Sequence, residues 1–179
     1  GLDGAGLSSA PSRVVIAIME NRPYSRIIGN PAAPYINALA RRGALFTQSY
    51  GIAHPSQPNY LALFSGSTQG VKGNECPAVV RGDNLAASLL RSGRSFAIFS
   101  EAMPTVGFTG CAAGDYQRKH NPLVGWQQGE HVGDGGLPAS MNQPFSAFPS
   151  DLSRLPTVSM VVPDQSNDMH DGQEPRTIR

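Results

Sequence analysis

Seven residues near the start of the chain, Arg13-Val14-Val15-Ile16-Ala17-Ile18-Met19, constrain the fold most. The run is continuously apolar after Arg13, rich in β-branched side chains and short, which predicts a strand buried on both faces. It ends abruptly in Glu20-Asn21. Open α/β sheets bind ligands at the C-terminal ends of central strands, and a carboxylate beside an amide would stand in that place. Oxygen donors of this kind suit a hard divalent cation.

The rest of the pattern alternates. Residues 33–42 read as a helix with Tyr35, Ile36, Leu39 and Ala40 on one face and Gly43 as its stop. Residues 44–50 read as a short or edge strand. Asp83 would cap a helix carrying Leu85, Ala86, Leu89 and Leu90, stopped by Gly93. Strands are expected at 95–100 and 157–162, with a short helix over 144–155. Residues 103–136 are Gly-rich and read as a long irregular loop of the kind that is functional or disordered. Strands alternating with helices predict an α/β fold with a mostly parallel sheet.

A second stretch, His54-Pro55-Ser56-Gln57-Pro58-Asn59-Tyr60-Leu61-Ala62-Leu63-Phe64-Ser65-Gly66, marks a change from extended chain to helix. Pro55 biases His54 toward an extended conformation, and Pro58 is tolerated in a first helical turn. Tyr60, Leu61 and Phe64 give the helix one buried side. Ser56 thus sits at the positive end of a helix dipole, among backbone N–H groups that suit an anion. Two readings of Ser56 remain at this point: a simple helix cap, or a hydroxyl presented to a phosphate.

Composition excludes several classes. A net charge of +1 gives no electrostatic case for nucleic acid. No apolar run approaches the roughly 18 residues of a membrane-spanning helix. Hydrophobic content of 40% over 179 residues supports one domain with a core. Residues 1–12 read as a flexible leader. Both cysteines, Cys76 and Cys111, lie in Gly/Pro-rich loops rather than apolar runs, which predicts a single disulfide in an exported protein.

Met19-Glu20-Asn21 and the Ser56 segment together resemble the phosphoesterase family of acid phosphatases and phospholipases C, part of the alkaline-phosphatase-like superfamily. Ala33-Pro34-Tyr35-Ile36-Asn37, Phe64-Ser65-Gly66-Ser67-Thr68-Gln69-Gly70, Arg118-Lys119-His120-Asn121-Pro122 and Asn167-Asp168-Met169-His170-Asp171-Gly172 extend the match in order. The resemblance is nearest to the secreted mycobacterial-type acid phosphatases that act on phosphoinositides. It implies a three-layer α/β/α fold. It also implies further strands and acidic ligands beyond residue 179, so that 13–179 would be the N-terminal portion of one domain. Ser56 would be the nucleophile, and Glu20, Asn21 and Ser56 the ligands of a divalent cation. His120 and His170 would act as acid/base groups, and Asn59, Lys119 and Asp168 would bind substrate. The substrate would be a phosphate ester, with a phosphoinositide or other phospholipid head group as one candidate. The place of action would be secreted or in the cell envelope.

The runner-up reading, from a different class, is a non-catalytic phosphate- or phospholipid-binding relative. A plain serine esterase fits less well, because Ser56 stands between prolines and not in a Gly-x-Ser-x-Gly turn.

Overall fold

A computed structural model describes residues 11–127 and 135–170. In chain order it contains β1 (Val14–Ala17), α1 (Tyr24–Ile27), α2 (Pro34–Arg42), α3 (Ser56–Ser65), α4 (Leu85–Arg91), β2 (Phe96–Ser100), β3 (Ala112–Ala113), β4 (Tyr116–Gln117), β5 (Asn142–Pro144) and β6 (Val158–Val162). Four strands form one sheet in the order β1-β6-β2-β5, every neighbouring pair parallel. The expected α/β class with a mostly parallel sheet is therefore what the chain adopts. Parallel strands need crossovers: α1 to α4 lie in the one between β1 and β2, while among the described residues the β2-to-β5 and β5-to-β6 connections hold the β3–β4 hairpin and 3-10 turns.

β2 is buried along its whole length and divides two cores by the alternation of its side chains. Phe96 and Ile98 face α3 and α4, in a cluster with Leu61, Phe64, Ala86, Leu123, Trp126 and Met160. Ala97 and Phe99 face the opposite way, against Leu155 and Phe148. Trp126 is fully buried, its ring 5.4 Å from that of Phe64, and its indole N–H donates to Gly82 O at 2.8 Å. Trp126→Ala is expected to cost about 3–5 kcal/mol of stability through the cavity and the stranded carbonyl. Urea unfolding followed by fluorescence of the remaining tyrosines would read the loss.

Four expectations fail here. The 13–19 strand is not central: β1 lies at one end of the sheet, with Val14 and Val15 39% and 47% exposed. Residues 44–50 form no strand, and Phe46 and Tyr50 stand exposed. Among the described residues no strand lies on the outer side of β1 for them to join. The predicted helix over 144–155 is two single 3-10 turns, Phe145–Ala147 and Leu152–Arg154, separated by Pro149. Asp83 is not the cap of α4. Asn84 is, accepting from Ala87 N–H at 2.8 Å, while Asp83 pairs with Arg91 on the surface.

Within the 103–136 segment, residues 103–127 are more ordered than their composition suggests. They hold the β3–β4 hairpin and two 3-10 turns, Arg118–His120 and Pro122–Gly125. A buried polar network fixes them to the sheet. Asn121 donates to Asn142 Oδ1 at 2.8 Å, and Asn142 donates to Gln127 Oε1 at 2.9 Å and Phe108 O at 3.1 Å. Burial pushes the nearby Tyr116 phenol up to about 12, against the lowering influence of Asn121 and Arg118.

Candidate active site

The parallel sheet gathers its strand ends on one side, and the site assembles there. Glu20 follows β1, and its N–H donates to Asp168 O at 2.7 Å, which ties the segments beyond β1 and β6 together. Arg22 Nε donates to the neighbouring Met169 O at 2.7 Å. Asn21 and Met169 both adopt left-handed backbone conformations, with φ of 54° and 85°. Asn tolerates that region; a methionine there is strained and persists only because its surroundings hold it. Met169 is indeed buried, packed with Ile27 and Ala33.

Ser56 opens α3 but does not cap it. Pro55 occupies the cap position and offers no side-chain cap, and Gln57 N–H is taken instead by Asn74 Oδ1 at 3.1 Å. The Ser56 hydroxyl instead donates to Glu20 Oε1, across 36 residues of sequence. Glu20 Oε2 accepts from the Tyr60 hydroxyl at 3.2 Å. Burial, and then the Glu20 charge, push the Tyr60 phenol well above its ordinary value, so it remains a donor. The Tyr60 ring stacks on His120 at 5.1 Å between centroids. His120 in turn places Nε2 3.9 Å from Glu20 Oε1 and Nδ1 3.7 Å from Asp168 Oδ2. Glu20, His120 and Asp168 are all buried, which strengthens their mutual electrostatics.

The position of His120 has a covalent origin. Cys76 and Cys111 are joined, as the loop settings predicted. Arg118 N–H donates to Cys111 O, and the Arg118 guanidinium spans Thr109 O at 2.6 Å and Ala78 O at 3.1 Å. Disulfide and arginine thus clamp two loops around the single turn that carries Lys119 and His120.

The sequence-derived residues divide into two layers. Glu20, Asn21, Ser56, Asn59, Lys119 and His170 line one open cleft. His120 and Asp168 stand behind it, buried; Asp168 Oδ1 accepts from His170 N–H at 2.8 Å. Neither borders the cleft, so the expected contacts of His120 and Asp168 with substrate have no direct support in this arrangement. Asn59 lines the cleft, but its amide is engaged with the preceding loop: Oδ1 accepts from Ile52 and Ala53, and Nδ2 donates to Ala53 O at 2.7 Å. Asp171, the acidic residue of the Asn167–Gly172 motif, lies outside the described residues. Sequence reasoning read Tyr60 only as a core position. Its spacing of four from Ser56 places both on one helix face, a signal that could have singled it out.

As cation ligands, Glu20, Asn21 and Ser56 supply hard oxygens of the right chemistry. Three donors with one formal charge fall short of the roughly six oxygens that such an ion takes. Among the described residues no group of three or more His, Cys, Asp or Glu could hold a metal ion.

A parallel α/β sheet with a serine–carboxylate–histidine constellation at its strand ends, opening on a cleft that carries Lys119, defines the class. The chain belongs to the phosphoesterase family, whose profile matches residues 30–177. It is 46% identical over 176 residues to a phosphatidylinositol-3-phosphatase of Mycobacterium tuberculosis, a match that covers 94% of this chain and 56% of that protein. It is 30% identical to a probable acid phosphatase of Kluyveromyces lactis, over 91% of this chain and 40% of the relative. An acid phosphatase of Aspergillus fumigatus is 32% identical over 74% of this chain. The chain thus spans about half the length, or less, of these curated relatives. No solved structure matches.

Proposed function

We propose that the protein to which this chain belongs hydrolyses phosphate esters through a phosphoserine formed on Ser56. The observation that carries the reading is the hydrogen bond from the Ser56 hydroxyl to Glu20 Oε1 at the wall of an open cleft. A serine hydroxyl is a weak nucleophile until a neighbour takes its proton, and the Glu20 carboxylate is placed to take it. Ser56 Oγ then bonds to phosphorus as the bond to the leaving oxygen breaks. His170, exposed on the cleft wall, donates a proton to that oxygen, and Lys119 balances phosphoryl charge. Water then attacks the phosphoserine, which returns Ser56 and releases phosphate. His120 and Asp168 act behind the cleft, holding Glu20 and its charge in place.

A divalent cation on the oxygens of Glu20, Asn21 and Ser56 would lower the hydroxyl pKa and neutralise phosphoryl charge. Further ligands would have to come from water, substrate or residues outside those described. Phosphoinositides head the substrate list because the mycobacterial relative is named for one. The disulfide supports a secreted or cell-envelope location. No helix of the described residues is long and apolar enough to cross a membrane.

Turnover of p-nitrophenyl phosphate and of phosphatidylinositol 3-phosphate by the full-length protein, with and without chelator, tests the reading. Hydrolysis of both, lost on chelation and restored by a divalent cation, is expected. Tight phosphate binding without turnover would instead favour a non-catalytic relative.

A further inference from the structure

We propose that Tyr60 is a positioning residue: its hydroxyl sets the Glu20 carboxylate against Ser56, and its ring sets the plane of His120. The inference rests on the phosphate-ester reading and assigns a task to a residue which that reading leaves unused. A glutamate's terminal torsion is broad, so one hydrogen bond to Ser56 does not fix the carboxylate plane. The Tyr60 hydroxyl, 3.2 Å from Oε2, provides a second anchor on the other oxygen. With both oxygens held, Oε1 is directed at the Ser56 hydroxyl. The ring's near-parallel stacking on His120, 22° between planes, sets the imidazole between Glu20 and Asp168.

Tyr60 lies one helical turn beyond Ser56 and is 4% exposed. α3 is rigid at that point, its apolar side locked by Leu61 and Phe64 in the main core. One helix thus carries the hydroxyl that reacts and the ring that orients its neighbours. The alternative, that Tyr60 only fills space, makes a different forecast: phenylalanine would serve equally well.

The test compares Tyr60→Phe and Tyr60→Leu with the wild-type full-length protein. Steady-state kinetics with p-nitrophenyl phosphate form one arm, and NMR of the His120 ring protons forms the other. Losing a hydrogen bond to a charged group should lower kcat about 10- to 100-fold in Tyr60→Phe, with KM changed less than about twofold. The His120 ring-proton shift should stay near wild type in Tyr60→Phe and move in Tyr60→Leu, where the ring current is gone. Wild-type kinetics in Tyr60→Phe would overturn the hydroxyl's role. An unmoved His120 resonance in Tyr60→Leu would overturn the ring's role. Absence of turnover in the wild type would sink the phosphate-ester reading itself and with it the hydroxyl's role, while the NMR arm would still decide the ring's role.

Discussion

Ser56→Ala is expected to lower phosphate-ester turnover by at least about 1,000-fold, because the hydroxyl that would remain on Glu20 is the Tyr60 phenol, which burial and the Glu20 charge keep protonated. Tyr60 is the other hydroxyl on that carboxylate, and it is buried. Stability should fall by about 3 kcal/mol at the most. Ser56 makes no capping bond to α3, alanine is a good helix former, and the lost hydrogen bond is worth about 1–3 kcal/mol at most, since its partner is charged. Parallel measurement of kcat and of the urea midpoint separates the two effects. A variant that keeps even a tenth of wild-type turnover would point to another nucleophile.

Replacing both cysteines by serine should cost about 4 kcal/mol. The bridge closes a loop of 35 residues, and the loop-closure entropy of that length gives this figure. The functional loss should exceed what partial unfolding explains. The Arg118–His120 turn is clamped by the bridge and by Arg118, whose contacts at Thr109 and Ala78 lie two residues from each half-cystine. Once the bridge is gone, His120 loses the support that keeps it against Tyr60 and Glu20. Urea unfolding and kcat below the transition, with and without reductant, check both parts. Equal activity in reduced and oxidised protein, each fully folded, would show that the bridge serves stability alone.

What the sequence disclosed and what it concealed follow from the range of the interactions. Periodicity is local, so α2, α3, α4, β2 and β6 are legible from their own residues. Strand order is not local. The apolar run at 13–19 looks central, yet β6 lies on one side of it and no described strand on the other. The 44–50 segment has the composition of a strand, but pairing decides strands, and it has no partner here. Residues 103–127 read as irregular because contacts far apart in sequence organise them: Asn121 with Asn142, Arg118 with the Ala78 carbonyl, Cys76 with Cys111. None of these pairs has a periodic signature.

The candidate site was legible as a set of residue types, and its two layers were not. Ser56 and Glu20 come together in the sequence only through the family resemblance, as ligands of one cation, and the direct hydrogen bond between them is a tertiary fact. Nothing in Arg118-Lys119-His120 says that Lys119 borders the cleft while His120 is buried behind it. That division comes from a single 3-10 turn, in which consecutive side chains diverge by about 120°. Tyr60 was concealed by its apolar ring, whose hydroxyl matters only where Glu20 is already in place.

Covalent trapping tests the central claim most directly. The full-length protein is mixed with p-nitrophenyl phosphate, quenched in acid within milliseconds, digested, and the peptide spanning 54–66 is weighed by mass spectrometry. The expected result is a mass gain of one phosphoryl group, localised to Ser56 by fragmentation, absent in Ser56→Ala and without substrate. An unmodified peptide, with a burst of p-nitrophenol in the same quenched samples equal to the enzyme present, would contradict a phosphoserine on Ser56.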